Sequence, residues 1–190
     1  MKKMKLVMVG NGMAGVRTLE ELLKIAPDLY DITVFGAEPH PNYNRILLSP
    51  VLAGEQTLDE IVLNPLSWYE ENHIRLELGK KVVEVDRRKR IVRAADGTEH
   101  EYDRLLLATG SNPFILPVPG KDLEGVIAYR DIADTNTMIE AATRYQHAVV
   151  IGGGLLGLEA ANGLMLRGMQ VTVVHIMQIG RASVGKECCR

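Results

Sequence analysis

Twice in this chain an apolar run enters a glycine turn and leaves it on a segment of helical character. Leu6–Val9 runs into Gly10, Gly12 and Gly15, and Val16, Leu19, Leu22 and Leu23 follow at helical spacing. His147–Ile151 runs into Gly152, Gly154 and Gly157, with a helix expected through Glu159–Met165 and a strand over Gln170–His175. Each copy reads as strand, tight turn, helix. That arrangement brings a phosphate close to the backbone N–H groups of a helix N-terminus, where unpaired donors and the helix dipole favour an anion. One Gly-x-Gly-x-x-Gly is a weak signal, but two, each framed by strand and helix, point to two dinucleotide folds in series.

The intervening sequence fits that scheme. A first helix is expected from Met13 to about Ile25, ending near Pro27, which cannot continue it. Asp31–Gly36 is a β-branched strand, and Glu38 lies just past its end. A carboxylate there can accept both hydroxyl protons of a ribose and would repel a 2′-phosphate. Arg45, in the loop N-Y-N-R-I-L-L-S-P-V-L-A-G, offers a planar fork of donors suited to a phosphate. A surface salt bridge is the other reading of that side chain. Short helical pieces are expected at Thr57–Ile61 and Ser67–Asn72, with Trp68 and Tyr69 as packing residues. Ile74–Leu78, Lys81–Asp86, Arg90–Ala94 and His100–Ala108 read as strands, with hairpin turns at Arg87–Arg90 and Asp96-Gly97. The continuous apolar run ending Leu105–Gly110 suits a central parallel strand buried on both faces. Pro113, Pro117, Pro119 and Gly120 mark a linker, and Asp131–Tyr145 is helical.

Bulk composition narrows the partners. Hydrophobic residues at 46% and charged residues at 24% predict a packed core, and a net charge of −2 provides no basic field for nucleic acid. Lys2, Lys3 and Lys5 precede too short an apolar run for a signal peptide, and no stretch approaches the ~20 apolar residues that span a bilayer. The two cysteines, Cys188 and Cys189, are neighbours, which is neither a disulfide framework nor a metal-ligand spacing. A reducing, cytoplasmic setting is expected.

Two dinucleotides in one chain, a flavin and a nicotinamide, would allow hydride to pass between rings with no obligatory acid–base side chain, so no catalytic residue and no metal ligand is singled out. With these residues in place, the sequence resembles the two-dinucleotide flavoprotein oxidoreductases, the group that includes rubredoxin, ferredoxin and nitrite reductases. The Arg45 loop, together with F-G-A-E-P-H, resembles the N-terminal FAD-binding part of the large subunit of assimilatory NAD(P)H-nitrite reductases. The resemblance implies that Gly10, Gly12 and Gly15 cradle the FAD pyrophosphate and that Glu38 takes the adenosine ribose. It implies that Arg45 approaches the flavin or its phosphates and that Thr109 and Gly110 pass near the cofactor. Gly152, Gly154, Gly157 and Glu159 would belong to the NAD(P)H site.

The chain departs from that group in three places. Disulfide reductases carry a cysteine near the flavin, whereas no cysteine precedes Cys188, so a thiol relay is not expected. His175 stands where an acidic residue specific for NAD would follow the second strand, and an imidazole does not repel a 2′-phosphate as a carboxylate would. A solvated strand-end histidine is the alternative. Residues 177–190 show no period and no likeness to the group, and read as an aberrant or disordered tail.

The expected fold is α/β: a Rossmann-like FAD-binding fold with a parallel sheet and a small antiparallel meander, then the start of a second Rossmann unit for NAD(P). The expected segments are an FAD-binding domain over 1–112, a linker and helix over 113–146, a partial NAD(P)-binding domain over 147–176, and the tail. The resemblance implies hydride transfer from NAD(P)H to FAD and electrons onward to a downstream acceptor, either a sirohaem and iron–sulfur region or a small redox protein. The alternatives are a truncated, non-catalytic nucleotide-binding remnant, or an enzyme like the rubredoxin and ferredoxin reductases.

Overall fold

A computed structural model describes residues 3–175. The expected tail over 177–190, with Cys188 and Cys189, lies outside the described residues. In chain order the elements begin with β1 (Met4–Val9), α1 (Met13–Ile25), β2 (Tyr30–Phe35), β3 (Asn42–Tyr43), α2 (Leu48–Ala53), β4 (Val62–Asn64), α3 (Leu66–Glu71) and β5 (Arg75–Glu77). They continue with β6 (Val82–Asp86), β7 (Ile91–Ala94), β8 (Glu99–Glu101), β9 (Arg104–Leu107), α4 (Ile132–Arg144), β10 (His147–Ile151), α5 (Leu155–Leu166) and β11 (Gln170–Val174). Contacts divide the described residues into two compact units: 3–44 with 62–111, and 45–61 with 112–175.

The first unit is built on a parallel sheet of order β5-β2-β1-β9. Side chains alternate across it, as strand geometry requires. Leu6 and Met8 face one side, where Val16 and Leu19 of α1, Tyr69 of α3 and Ile74 join them in a buried cluster. Val7 and Val9 face the other, packed with Phe35 and with Val92 and Ala94 of the antiparallel meander β6-β7-β8. The apolar run of β1 is thus covered on both faces, which is why it does not alternate with polar residues. Its C-terminal end is thereby held rigidly beneath the first glycine turn.

Two expectations for the end of this unit need correction. His100–Ala108 is not one strand: β8 closes the meander and β9 joins the parallel sheet. Asp103 makes the switch, its N–H donating to the Lys5 carbonyl at 2.8 Å while its Oδ2 accepts from the Lys5 N–H at 2.7 Å. Nor is β9 a central strand buried on both faces. Among the described residues it pairs only with β1, at the edge of the sheet, and Leu107 is 62% exposed. Thr57–Ile61 contributes only a 3-10 turn, Asp59–Ile61.

In the second unit, β10 and β11 pair in parallel, His147 opposite Gln170 and Ile151 opposite Val174. The short helix α2 lies on α5, with Leu52 fully buried among Met138, Ala160, Leu164 and Met169. Gly163 makes this possible, because a Cβ there would lie 2.8 Å from Leu52 Cγ. Arg167 then donates from Nε to the Leu52 carbonyl and from Nη2 to the Val51 carbonyl, placing a cation on the negative end of α2. Residues distant in sequence are joined here by packing and by a helix-end cap. Among the described residues, no helix is long and apolar enough to cross a membrane.

Candidate functional site

The two glycine turns are built alike. Gly10 has φ +109° and donates to the Phe35 carbonyl at 2.8 Å; Gly152 has φ +119° and donates to the Val174 carbonyl at 2.9 Å. Both need a backbone conformation that side chains disfavour, and both tie the turn to the end of the neighbouring parallel strand. The third glycine of each set is forced by space: a Cβ at Gly15 would lie 2.9 Å from Ala108 Cβ and Met8 Sδ, and one at Gly157 would lie 1.9 Å from the Gly152 carbonyl oxygen. The middle glycines differ. Gly12 and Gly154 are the N-caps of α1 and α5, neither helix start has a side-chain cap, and nothing lies within 4 Å of a Cβ built on either. Each helix therefore presents bare N–H donors beside an open surface, the geometry a pyrophosphate requires.

In the first unit, Gly10, Gly12, Gly15, Glu38, Thr109 and Gly110 gather at the C-terminal ends of the parallel strands β1, β2 and β9. A Cβ on Gly10 would lie 2.1 Å from the Ala108 carbonyl oxygen, so the segment leading into Thr109 and Gly110 passes directly against the turn. Glu38 is half-buried and accepts a 2.7 Å hydrogen bond from the Tyr43 hydroxyl. Its segment is anchored by Gly79, which donates to the Glu38 carbonyl, and by Gly36, which donates to the Glu77 carbonyl.

Sequence reasoning missed the side chains that hold this turn. Asn11 lies between Gly10 and Gly12. Its Oδ1 accepts from the Tyr69 hydroxyl at 2.8 Å, and its Nδ2 donates to the His40 carbonyl at 3.3 Å. Tyr69 is a packing residue, as expected, but its hydroxyl also supports the turn. Burial pushes that phenol up to about 12, against the opposing effect of its hydrogen bonds with the Asn42 backbone and the Asn11 side chain. Position 11 falls on a variable letter of the glycine pattern, and that was the only available signal.

In the second unit, Arg45 and Glu159 each belong to a chain of hydrogen bonds. Arg45 Nη1 donates to the Arg130 carbonyl at 2.6 Å. Arg130 N–H in turn donates to Asp134, and Asp131 caps α4 by accepting from the Asp134 N–H. Glu159, in the second turn of α5, accepts from Ser49 Oγ at 2.5 Å, and Ser49 Oγ accepts from the Tyr129 hydroxyl at 3.2 Å. Burial raises the Tyr129 phenol above its ordinary range, and the Glu159 charge adds to the shift while the Ser49 bond opposes it. Neither Ser49 nor Tyr129 stood out in the sequence. His175 is not simply a solvated strand end, because its Nδ1 accepts from the Gly153 N–H of the glycine turn at 3.1 Å.

Comparison with known proteins adds to this geometry. The profile of the pyridine nucleotide-disulphide oxidoreductase family matches residues 4–188, continuing into the segment that the sequence reading set apart. The chain is 58% identical over 177 residues to nitrite reductase [NAD(P)H] of Bacillus subtilis (strain 168), covering 93% of this chain and 22% of that protein. It is 50% identical over 175 residues to the assimilatory nitrate reductase electron transfer subunit of the same organism, covering 92% of this chain and 23% of the relative. The chain thus spans less than a quarter of the length of these relatives. Among solved structures, NADH:rubredoxin oxidoreductase from Clostridium acetobutylicum superposes with a TM-score of 0.82 at 25% identity, over 93% of this chain and 46% of that one.

Proposed function

Because the chain belongs to the pyridine nucleotide-disulphide oxidoreductase family, we propose that it is a flavoprotein oxidoreductase module binding FAD at the first glycine turn and NAD(P)H at the second. When bound, the pair supplies hydride transfer from the nicotinamide to the flavin. What the chain supplies is binding and orientation. The N–H groups at the starts of α1 and α5 take the pyrophosphates, and Glu38 accepts the hydroxyl protons of the adenosine ribose. Thr109 and Gly110 line the first site, and Glu159 serves the second with Gly152, Gly154 and Gly157. Arg45 approaches the flavin or its phosphates. In these terms residues 1–112 form the FAD-binding domain, 113–146 a linker and helix, and 147–176 the NAD(P)-binding portion.

The observation that carries this reading is the duplication of the turn, with the same strained glycine, the same bond to the neighbouring strand and the same open N-cap. Electrons pass onward to a downstream acceptor. The likeness to nitrite reductase [NAD(P)H] fits the sirohaem and iron–sulfur acceptor that the resemblance implies, and the likeness to NADH:rubredoxin oxidoreductase fits a small redox protein. A cytoplasmic reaction fits a chain whose only cysteines are two neighbours.

The test is the visible spectrum of the purified protein, with and without added FAD, followed by NADH oxidation with ferricyanide as acceptor. A bound flavin spectrum and turnover well above that of free flavin are expected. A colourless protein that acquires no flavin signal overturns the cofactor assignment. Flavin binding without turnover favours the second reading, a non-catalytic nucleotide-binding remnant. Among the described residues, the exposed apolar face of β10 and β11 is the specific observation behind it.

A further inference from the structure

The network around Glu159 carries a function that the glycine turn alone does not. Glu159 projects from α5 two residues beyond Gly157, and it is exposed. A carboxylate only accepts hydrogen bonds and repels phosphate. Its partner in the nucleotide must therefore be a neutral donor, a ribose hydroxyl or the carboxamide N–H₂, and not the pyrophosphate taken by the helix start. An exposed glutamate on a helix samples several rotamers, and fixing one of them costs side-chain entropy on binding. Here the rotamer is already fixed. Ser49, carried by α2, donates to Oε2 at 2.5 Å, and Tyr129 donates to Ser49 at 3.2 Å. The helix α2 is itself locked to α5 by Leu52 over Gly163 and by the Arg167 cap. Among the described residues Oε1 makes no hydrogen bond, which leaves it for the ligand.

We propose that Ser49 and Tyr129 are positioning residues of the nicotinamide-nucleotide site: the chain Tyr129 hydroxyl to Ser49 Oγ to Glu159 Oε2 presets the carboxylate that receives the nucleoside part of NAD(P)H. The inference rests on the assignment of the second turn to NAD(P)H. It explains why a segment from the middle of the sequence, Arg45–Ile61, is grouped with the second unit.

Calorimetric titration of NADH into the full chain tests it. Ser49→Ala is expected to weaken binding about three- to tenfold, and Ser49→Thr, which keeps the hydroxyl, to restore it. In the Glu159→Ala background, Ser49→Ala should have no further effect, because positioning acts only through the residue positioned. A second readout needs no nucleotide: Glu159→Ala should lower the pH at which Tyr129 ionises, seen as the ultraviolet difference between each protein and its Tyr129→Phe counterpart. Ser49→Ala binding NADH as tightly as wild type, or losing affinity equally with and without Glu159, overturns the positioning role while the assignment of the site stands. Wild-type protein that takes up no NADH overturns the assignment itself, even if the Tyr129 shift is observed.

Discussion

The Tyr69 hydroxyl donates a 2.8 Å hydrogen bond to Asn11 Oδ1, so the first glycine turn is pinned from α3, a helix some sixty positions further along the chain. Tyr69 is otherwise fully buried in the cluster of Leu6, Met8, Leu19 and Val34. The contact therefore transmits core packing to the turn. Tyr69→Phe keeps the ring and removes the bond, which should cost about 1 kcal/mol of stability and loosen FAD binding. It should also change the response to alkali. The folded protein holds this phenolic proton to about 12, whereas an unfolded chain releases it near 10.0. The unfolded state thus binds fewer protons in that window, and the stability contributed is full below the lower value and is lost as pH rises toward the upper one. Denaturant titrations across this range should show a steeper alkaline loss for wild type than for Tyr69→Phe; parallel curves would exclude the linkage.

Gly10 and Gly12 lie two residues apart and should fail in different ways. An alanine at position 10 would be strained by φ +109° and would drive its Cβ to 2.1 Å from the Ala108 carbonyl oxygen, so Gly10→Ala should prevent stable folding of the first unit. An alanine at position 12 meets no protein atom within 4 Å, so Gly12→Ala should fold with a melting temperature near wild type. Its methyl group would instead occupy the surface where a pyrophosphate approaches. FAD affinity falling at least tenfold at an unchanged Tm is the expected signature. Equal FAD affinity in Gly12→Ala would show that the phosphate lies elsewhere.

What could be read from the sequence divides along physical lines. The glycine turns, α1, the end of β2 shortly before Glu38 and the meander were legible because each is dictated locally, by a breaker, a period or a steric demand. The residues that hold the sites were not. Asn11 with Tyr69, and Glu159 with Ser49 and Tyr129, meet through side-chain bonds across long sequence separations, which leave no periodic trace. The Leu105–Leu107 run misled for a related reason, since hydrophobicity shows that a strand can be buried on both faces and not whether a neighbour is present to bury it. Asp103 likewise read as one more residue inside the strand His100–Ala108, although its two bonds to Lys5 move the chain from one sheet to the other.

The packing of α2 on α5 offers a direct steric test. A Cβ on Gly163 would lie 2.8 Å from Leu52 Cγ and 3.0 Å from Leu52 Cδ2, within a buried cluster. Gly163→Ala gains helix propensity of about 1 kcal/mol, yet overpacking costs roughly 1–3 kcal/mol, so a net loss is expected. Leu52→Ala alone should cost about 2–5 kcal/mol through the cavity it leaves. Combining the two lets the new methyl group enter that cavity, and the double variant should be more stable than the sum of the single losses predicts. Strict additivity in thermal melts would mean that α2 and α5 do not pack in this way.

Val149 and Ile151 of β10 and Val174 of β11 point to the same side of their strand pair and are 64%, 63% and 49% exposed. The intervening Ala148, Val150 and Val171 turn the other way and are packed with α4 and α5 residues. A parallel strand pair normally has both faces covered, and among the described residues nothing covers this apolar face. Such a surface should bind a hydrophobic fluorescent dye under native conditions, with no denaturant needed to expose it. Replacing Val149 and Ile151 by threonine keeps β-branching and strand preference, so Tm should change by only a few degrees while dye fluorescence drops several-fold. Fluorescence that stays at the wild-type level in the double variant would mean that the dye binds elsewhere.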